Sequence, residues 1–284
     1  MVLLRRIVRM GVQPADGADA APDVRGNGYG GSPVFAGWPT GRHVEIEVCC
    51  RGEVDPRTGY FLDIKAIDRA ARDVLAASFS RSLGDAAGNE TAVLAAAAPR
   101  LNDALDGRVQ WVRWNLTPTY SVEVSPMPAS SVPLAPPSAL LRQKFEIAAA
   151  HRLHVPELSE EENRRLFGRC ANPSAHGHNY VIEPCVRVPV GGRGGGGAGA
   201  ARFGLADLER ATLKALIDPF DHRNLNVDCE QFDQSRGGVN PSVENISRVF
   251  YTLLAPVIAA HGGGVELQSL TVWETEKTCS TYPG

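Results

Sequence analysis

The chain has no surplus of positive charge. Its 29 Lys and Arg face 32 Asp and Glu, a formal net charge of -3, so the footprint of a protein that grips a nucleic-acid backbone is missing and no nucleic-acid partner is expected. Cysteine is scarce: six residues, at 49, 50, 170, 185, 229 and 279, unevenly spaced and without a Cys-x-x-Cys pair. That excludes a disulfide framework and favours a reducing compartment. The opening MVLLRRIVRM has an apolar patch of three residues broken by Arg5 and Arg6, which suits neither a signal h-region nor a membrane span. The expectation is a soluble, cytoplasmic chain with no membrane partner. What is present fits a globular protein. Hydrophobic residues make up 43% and charged residues 21% of 284, which excludes wholesale disorder and gives enough chain for one large domain or two of ordinary size.

Composition divides the chain into two blocks. MPASSVPLAPP, Met127 to Pro137, reads as a connector, giving domains at 1–126 and 141–284 with a linker at 127–140. Two other segments are weak: Gly11 to Pro33, and the run GGRGGGGAGAA from Gly191 to Ala201. The glycine run has no GxxxxGK signature and reads as a surface loop rather than a phosphate cradle. The blocks also resemble each other. GRHVEIEV at Gly41 lies on GHNYVIEPCV at Gly177, LDIKAIDRA at Leu62 on FGLADLERA at Phe203, and VRWNLT around Trp114 on TVWETE around Trp273. Three matches in the same order point to a duplicated domain.

In the second block Phe145, Ile147, Ala149 and His151 alternate with the period of a strand, and Val181–Val190 is a second β-prone run. Apolar residues at 205, 208, 213 and 216 favour a helix. A longer helix is expected from Asn240 as N-cap, with Pro241 in its first turn and a stripe of Val243, Ile246, Phe250, Leu253, Leu254 and Val257. Val265–Glu274 is strand-like, with room for a short last strand. This order fits an α+β domain, an antiparallel sheet covered on one face by two helices.

Five of the seven histidines stand at 151, 154, 176, 178 and 222. Strand period puts His176 and His178 on one face, and His151 from a neighbouring antiparallel strand can converge with them. Three neutral imidazoles with an open fourth position suit a catalytic zinc; a His-x-His pair alone would more often be solvated. Cys170 precedes His176 by six residues, across a turn at Asn172, Pro173 and Ser174 that can return its sulfur to the metal, where nearby positive charge would favour the thiolate. Taken alone it is more often a small buried hydrophobe. Asp221 next to His222 can orient or charge an imidazole for proton transfer; a solvated loop is the plainer reading. Glu274, at a strand end, can accept two hydrogen bonds from an amidine-like ring edge.

These residues, FEIAAAHRLHVPELSEEENRRLFGRCANPSAHGHNY with FDHRNLN, PSVEN and VWET, resemble the 6-pyruvoyl-tetrahydropterin synthase and 6-carboxytetrahydropterin synthase family, from Gln143 to the C-terminus. The resemblance implies the tunnelling fold, a four-stranded antiparallel sheet with two helices, here duplicated. In that family such sheets close into barrels with active sites between subunits. It implies Zn2+ on His151, His176 and His178, Cys170 as proton acceptor, Asp221 with His222 as the second proton-transfer group, and Glu274 as the pterin anchor. Ser242 keeps a hydroxyl beside Pro241, which replaces a family Thr; the family Asp before the first helix falls on Gly204. The implied enzyme is a zinc-dependent lyase that takes 7,8-dihydroneopterin triphosphate, a small-molecule pterin substrate, and eliminates triphosphate. The alternatives are the 6-carboxytetrahydropterin synthase of queuosine synthesis, a metal-dependent hydrolase of another kind, and a non-catalytic pterin-binding module. In the first block Thr40 and Arg42 stand where His176 and His178 should be, His43 is out of register, and Asn115 overlies Glu274. A metal-free partner domain is expected there, and a closed homo-oligomer, most simply a trimer of two-domain chains.

Overall fold

The computed structural model describes residues 1–12, 42–83, 90–126, 137–190 and 203–284. Thr40, the connector over 127–136 and the glycine run 191–201 lie outside the described residues, as does most of the weak segment after Val12. The chain forms two compact units, Met1–Leu140 with Pro189–Gly197, and Leu141–Val188 with Ala198–Gly284.

The first unit contains β1 (Val2–Val12), β2 (Arg42–Gly52), β3 (Val109–Asn115) and β4 (Tyr120–Val124), each antiparallel to the next. Between β2 and β3 come α1 (Ile64–Ala71), a π-helical turn (Arg72–Ala76), α2 (Ala77–Leu83) and α3 (Glu90–Ala104). Even-numbered β2 residues Val44, Ile46 and Val48 are buried with Val8, Met10, Val112, Val122, Leu75, Phe79 and Leu101; the alternation of a half-covered strand holds over the start of β2, and from Glu47 to Cys50 every residue is buried. The odd-numbered face carries charge. Arg9 bonds Glu45 at 2.8 Å, and Arg113 bonds Glu123 at 2.7 Å and Glu47 at 3.4 Å.

The second unit takes β5 (Ser138–Gln143) from Leu141 on, and then β6 (Phe145–His151), α4 (Glu160–Phe167), a 3-10 turn (Gly168–Ala171) and β7 (His176–Pro189). There follow α5 (Leu205–Thr212), a second π-helical turn (Leu213–Ile217), α6 (Asp218–Phe220), β8 (Arg223–Asn224), α7 (Leu225–Asp228), α8 (Val243–Ala259), β9 (Glu266–Thr275) and β10 (Thr278–Tyr282). β6, β7, β9 and β10 pair antiparallel in that order. Phe220 packs on Phe250 at 4.8 Å and on Phe232 at 6.0 Å between ring centres, closing the core over Tyr180, Ile182, Leu270 and Val272.

Several expectations need correction. The sheet is not wholly antiparallel, because β8 runs parallel to β6. The second strand runs from His176 to Pro189, so both histidines stand at its start as expected, and the β-prone run from Val181 is its continuation. The N-cap of α8 is Ser242, whose hydroxyl accepts from the Asn245 amide; Asn240 instead gives its side-chain carbonyl to the His154 amide. The buried stripe of α8 ends on Ile258, with Val257 exposed, because a 3.6-residue period drifts past a strict seven-residue repeat. The overlay of Trp114 on Trp273 slips by one residue. Val181 pairs with Trp273, whereas Glu45, the overlaid position of Val181, pairs with Asn115. By pairing, Leu116 rather than Asn115 corresponds to Glu274. A one-residue slip turns a strand residue to the other face, and Asn115 donates to Glu45 there at 2.9 Å.

Candidate metal and proton-transfer site

The site extends the buried face of the second sheet past its helices. His178 and Tyr180 follow His176 on alternate residues of β7, opposite Ala149, Ile147 and His151 of β6, so strand period alone aims the three imidazoles at one point. His151 is fully buried, and burial above all holds its pKa down, at about 4; the Pro241 carbonyl opposes that shift and the two other histidines add to it. Its Nδ1 lies 2.7 Å from the Pro241 carbonyl, which fixes the N–H there and leaves Nε2 with its lone pair facing inward. That contact needs only a backbone carbonyl, so proline in place of threonine does not disturb it. Burial and His178 also lower the His176 pKa.

His151, His176 and His178 offer ligand nitrogens that all lie within 4.8 Å of one another. The His151 and His176 Nε2 atoms are 3.1 Å apart. His178 Nε2 is buried without a hydrogen-bond partner, an arrangement a buried polar atom rarely adopts unless something else binds it. Neutral imidazoles with one unsatisfied inward nitrogen fit a zinc-like cation.

Glu274, near the end of β9, sends Oε1 to 3.3 Å from His151 Nε2 and 3.6 Å from His178 Nε2. Cys170 sits on the 3-10 turn, half-buried. Burial pushes its thiol pKa up, and the nearby Glu274 pushes it further. Among the described residues no side-chain cation offsets these two effects, so the nearby positive charge expected to favour a thiolate is not supplied by the side chains around it. Tyr180, fully buried, has its hydroxyl without a partner and its ring edge-on to His178 at 5.5 Å.

Asp221 Oδ2 lies 2.8 Å from His222 Nδ1 on the turn after α6. They are fixed to the outer edge of β6: the Ala148 amide donates to Asp221 Oδ1 at 2.8 Å, and the His222 amide donates to the Ala148 carbonyl at 2.6 Å. The first of these bonds, then His222, lowers the Asp221 pKa. His222 holds a left-handed backbone, φ 56°, and leaves 81% of its side chain exposed. Ser242 caps α8 next to Pro241, and its O–H remains free to donate. Gly204 caps α5 without a side chain, and Asp207 reaches back to its amide at 3.0 Å.

Sequence reasoning overlooked the Pro241 carbonyl, the orphaned Tyr180 hydroxyl and the buried Asn163. That side chain donates to the Val155, Leu158 and Ser159 carbonyls and accepts from the Val155 amide, shaping the loop ahead of Cys170. Only Tyr180 left a trace, by alternating with the two histidines.

Residues 140–284 match the family model described as 6-pyruvoyl tetrahydropterin synthase. The human 6-pyruvoyl tetrahydrobiopterin synthase is 34% identical over 146 residues, 51% of this chain and 92% of the relative. A Drosophila melanogaster protein of the same description is 38% identical over 96 residues, 34% of this chain and 54% of its own. The solved Caenorhabditis elegans 6-pyruvoyl tetrahydropterin synthase, at 32% identity, covers 54% of this chain and 99% of its own with a TM-score of 0.45. With its matched segment holding all three converging histidines, the chain belongs to the 6-pyruvoyl tetrahydropterin synthase family.

Proposed function

We propose that residues 141–284 form a zinc-dependent lyase acting on 7,8-dihydroneopterin triphosphate, which releases triphosphate and gives 6-pyruvoyltetrahydropterin. The observation that carries this is the His151, His176 and His178 cluster with Glu274 against it. Bound there, zinc supplies a Lewis acid for the substrate's side-chain hydroxyls, which makes the hydrogens on their carbons more acidic. The chain's own residues do the rest. Glu274 accepts from the 2-amino and N3 hydrogens and fixes the ring, and the Ser242 hydroxyl is the second substrate-binding group. Cys170 takes a proton from the side chain, and His222, oriented by Asp221, moves the second. The two carbinol carbons are oxidised while the ring and the terminal carbon, which loses triphosphate, are reduced, so no outside oxidant is consumed. The names of the curated relatives support this substrate class.

The first 126 residues are then a metal-free tunnelling-fold domain, joined through 127–140, in a cytoplasmic closed homo-oligomer, most simply a trimer of chains. The bulge and π-helical turn repeated in both units support the duplication. The anchored but exposed His222 suits a site shared with a neighbouring copy. Among the described residues no helix is long and apolar enough to cross a membrane.

The test is to incubate zinc-loaded protein with 7,8-dihydroneopterin triphosphate and identify the products by mass spectrometry. Triphosphate with the pyruvoyl product is expected. A 6-carboxy product would move the chain to the other branch, inorganic phosphate would indicate a hydrolase, and no conversion would leave a binding module.

A further inference from the structure

Cys170 stands on a single 3-10 turn, Gly168–Ala171, with neither a strand nor a long helix to fix it. Its neighbours set its place. The Leu153 amide donates to the Cys170 carbonyl at 2.8 Å, and Arg152 Nε donates to the Ala171 carbonyl at 3.0 Å. Another nitrogen of the same guanidinium donates to both carboxylate oxygens of Glu160, at 2.8 Å each, at the start of α4. The backbone of Arg152 is held in turn. Asn226 Oδ1 accepts the Arg152 amide at 2.7 Å and its Nδ2 donates to the Arg152 carbonyl at 2.9 Å, so one side chain makes the exchange that a neighbouring strand would otherwise make. Asn226 lies on α7, four residues after His222. Arg152 thereby bonds to the cysteine turn, to α4 and to the segment that carries the Asp221–His222 pair.

We infer that Arg152 is a positioning residue for Cys170: its guanidinium sets where the thiol stands relative to the three histidines, and Asn226 sets where the guanidinium is rooted. The role needs arginine. Nε and the terminal nitrogen point to two acceptors on different elements from one rigid plane, whereas a lysine ammonium is a single flexible point charge. The inference rests on the lyase reading only for the chemical part given to Cys170; the clamp itself is a matter of geometry.

The experiment uses Cys279→Ser as background, because Cys49, Cys50, Cys185 and Cys229 are buried and Cys279 is the other reachable thiol. In it, Arg152→Lys and Glu160→Gln are compared for zinc content, rate of Cys170 alkylation by iodoacetamide, and turnover. Glu160 is 61% exposed, so its replacement leaves the fold intact if Arg152→Lys does not. Zinc content should stay at the parent value. Alkylation should speed up as the turn loosens, and kcat should fall about 100-fold in Arg152→Lys with KM little changed, with the same direction and a smaller change in Glu160→Gln. Guanidinium added to Arg152→Ala should restore part of the turnover. Parent alkylation rates in both variants would overturn the inference, as would loss of zinc from both, which would assign Arg152 to the His151 strand instead. If the parent does not convert the pterin triphosphate, the lyase reading fails while the alkylation rates still decide this one.

Discussion

The two units break regular structure at the same two places. β2 bulges between Cys49 and Cys50, and β7 between Cys185 and Val186; the overlay that sets Arg42 on His178 also sets Cys49 on Cys185. Each unit follows an eight-residue helix with a five-residue π-helical turn, and the overlay of Asp63 on Gly204 brings Arg72 onto Leu213. Neither irregularity is demanded by a hydrophobic pattern, so their coincidence supports duplication better than the short sequence matches do. The difference lies in what the shared positions carry. Where the second unit has Tyr180, Ile147 and Ala149 leading up to the histidines, the first has Val44, Met10 and Val12, all apolar and buried. Its polar groups sit on the opposite face, as the Arg9–Glu45 and Glu47–Arg113–Glu123 pairs. The scaffold is common to both; the site is a graft on the strand ends of one.

The sharpest break in this comparison is the metal. His176→Ala should empty the second unit of zinc and abolish turnover, whereas His43→Ala, on the exposed side of β2, should change neither; metal analysis should find one zinc per chain. A second tightly held ion would refute the asymmetry. Cys170→Ala should keep its zinc and lose turnover by several orders of magnitude, since a proton acceptor is removed and no ligand. Zinc retained together with a parent rate would remove Cys170 from the chemistry.

Acid should separate the units next. His151, with its pKa held near 4 against an ordinary 6.5, stays neutral in the folded chain while the unfolded chain takes a proton. Its contribution is therefore present above pH 6.5 and lost as pH falls towards 4. Zinc should leave over the same range, because its ligands must be neutral. Hydrogen exchange followed by segment should show β6 and β7 losing protection in that window before the exchange of β2 changes through any histidine.

Smaller effects test the scaffold. Arg113→Met takes away the guanidinium shared by the buried Glu47 and Glu123, while the exposed Arg5 stays 3.5 Å from Glu47; the change should cost about 2 kcal/mol in urea unfolding, less than loss of the sole partner of a buried charge would. Gly204→Asp would give α5 the side-chain cap that Asp63 gives α1, where it accepts from the Lys65 amide. No atom lies within 4 Å of the added Cβ, so a gain of a few tenths of a kcal/mol is expected. A loss would mean that the Asp207 contact already fills that role.

By itself the sequence determined the local periods. Phe145, Ile147, Ala149 and His151 read as a strand and form β6, and His176 and His178, two residues apart, shared a face before any partner was known. A two-residue period is a property of the backbone and survives any packing. The helix α4 before Cys170 leaves no apolar stripe, since its buried organiser, Asn163, is polar; its one legible signal is the capping box of Ser159 and Glu162. The pairing that turns Asn115 away from the position of Glu274 was not legible, because a register slip of one changes the face without changing the residues. Only tertiary structure decided which long-range groups complete the site. Pro241 supplies a carbonyl to His151 from 90 residues away, and Asn226 holds Arg152 from 74. Backbone carbonyls and surface-type amides look alike in every sequence until folding brings one of them within hydrogen-bond reach of a particular ring or strand.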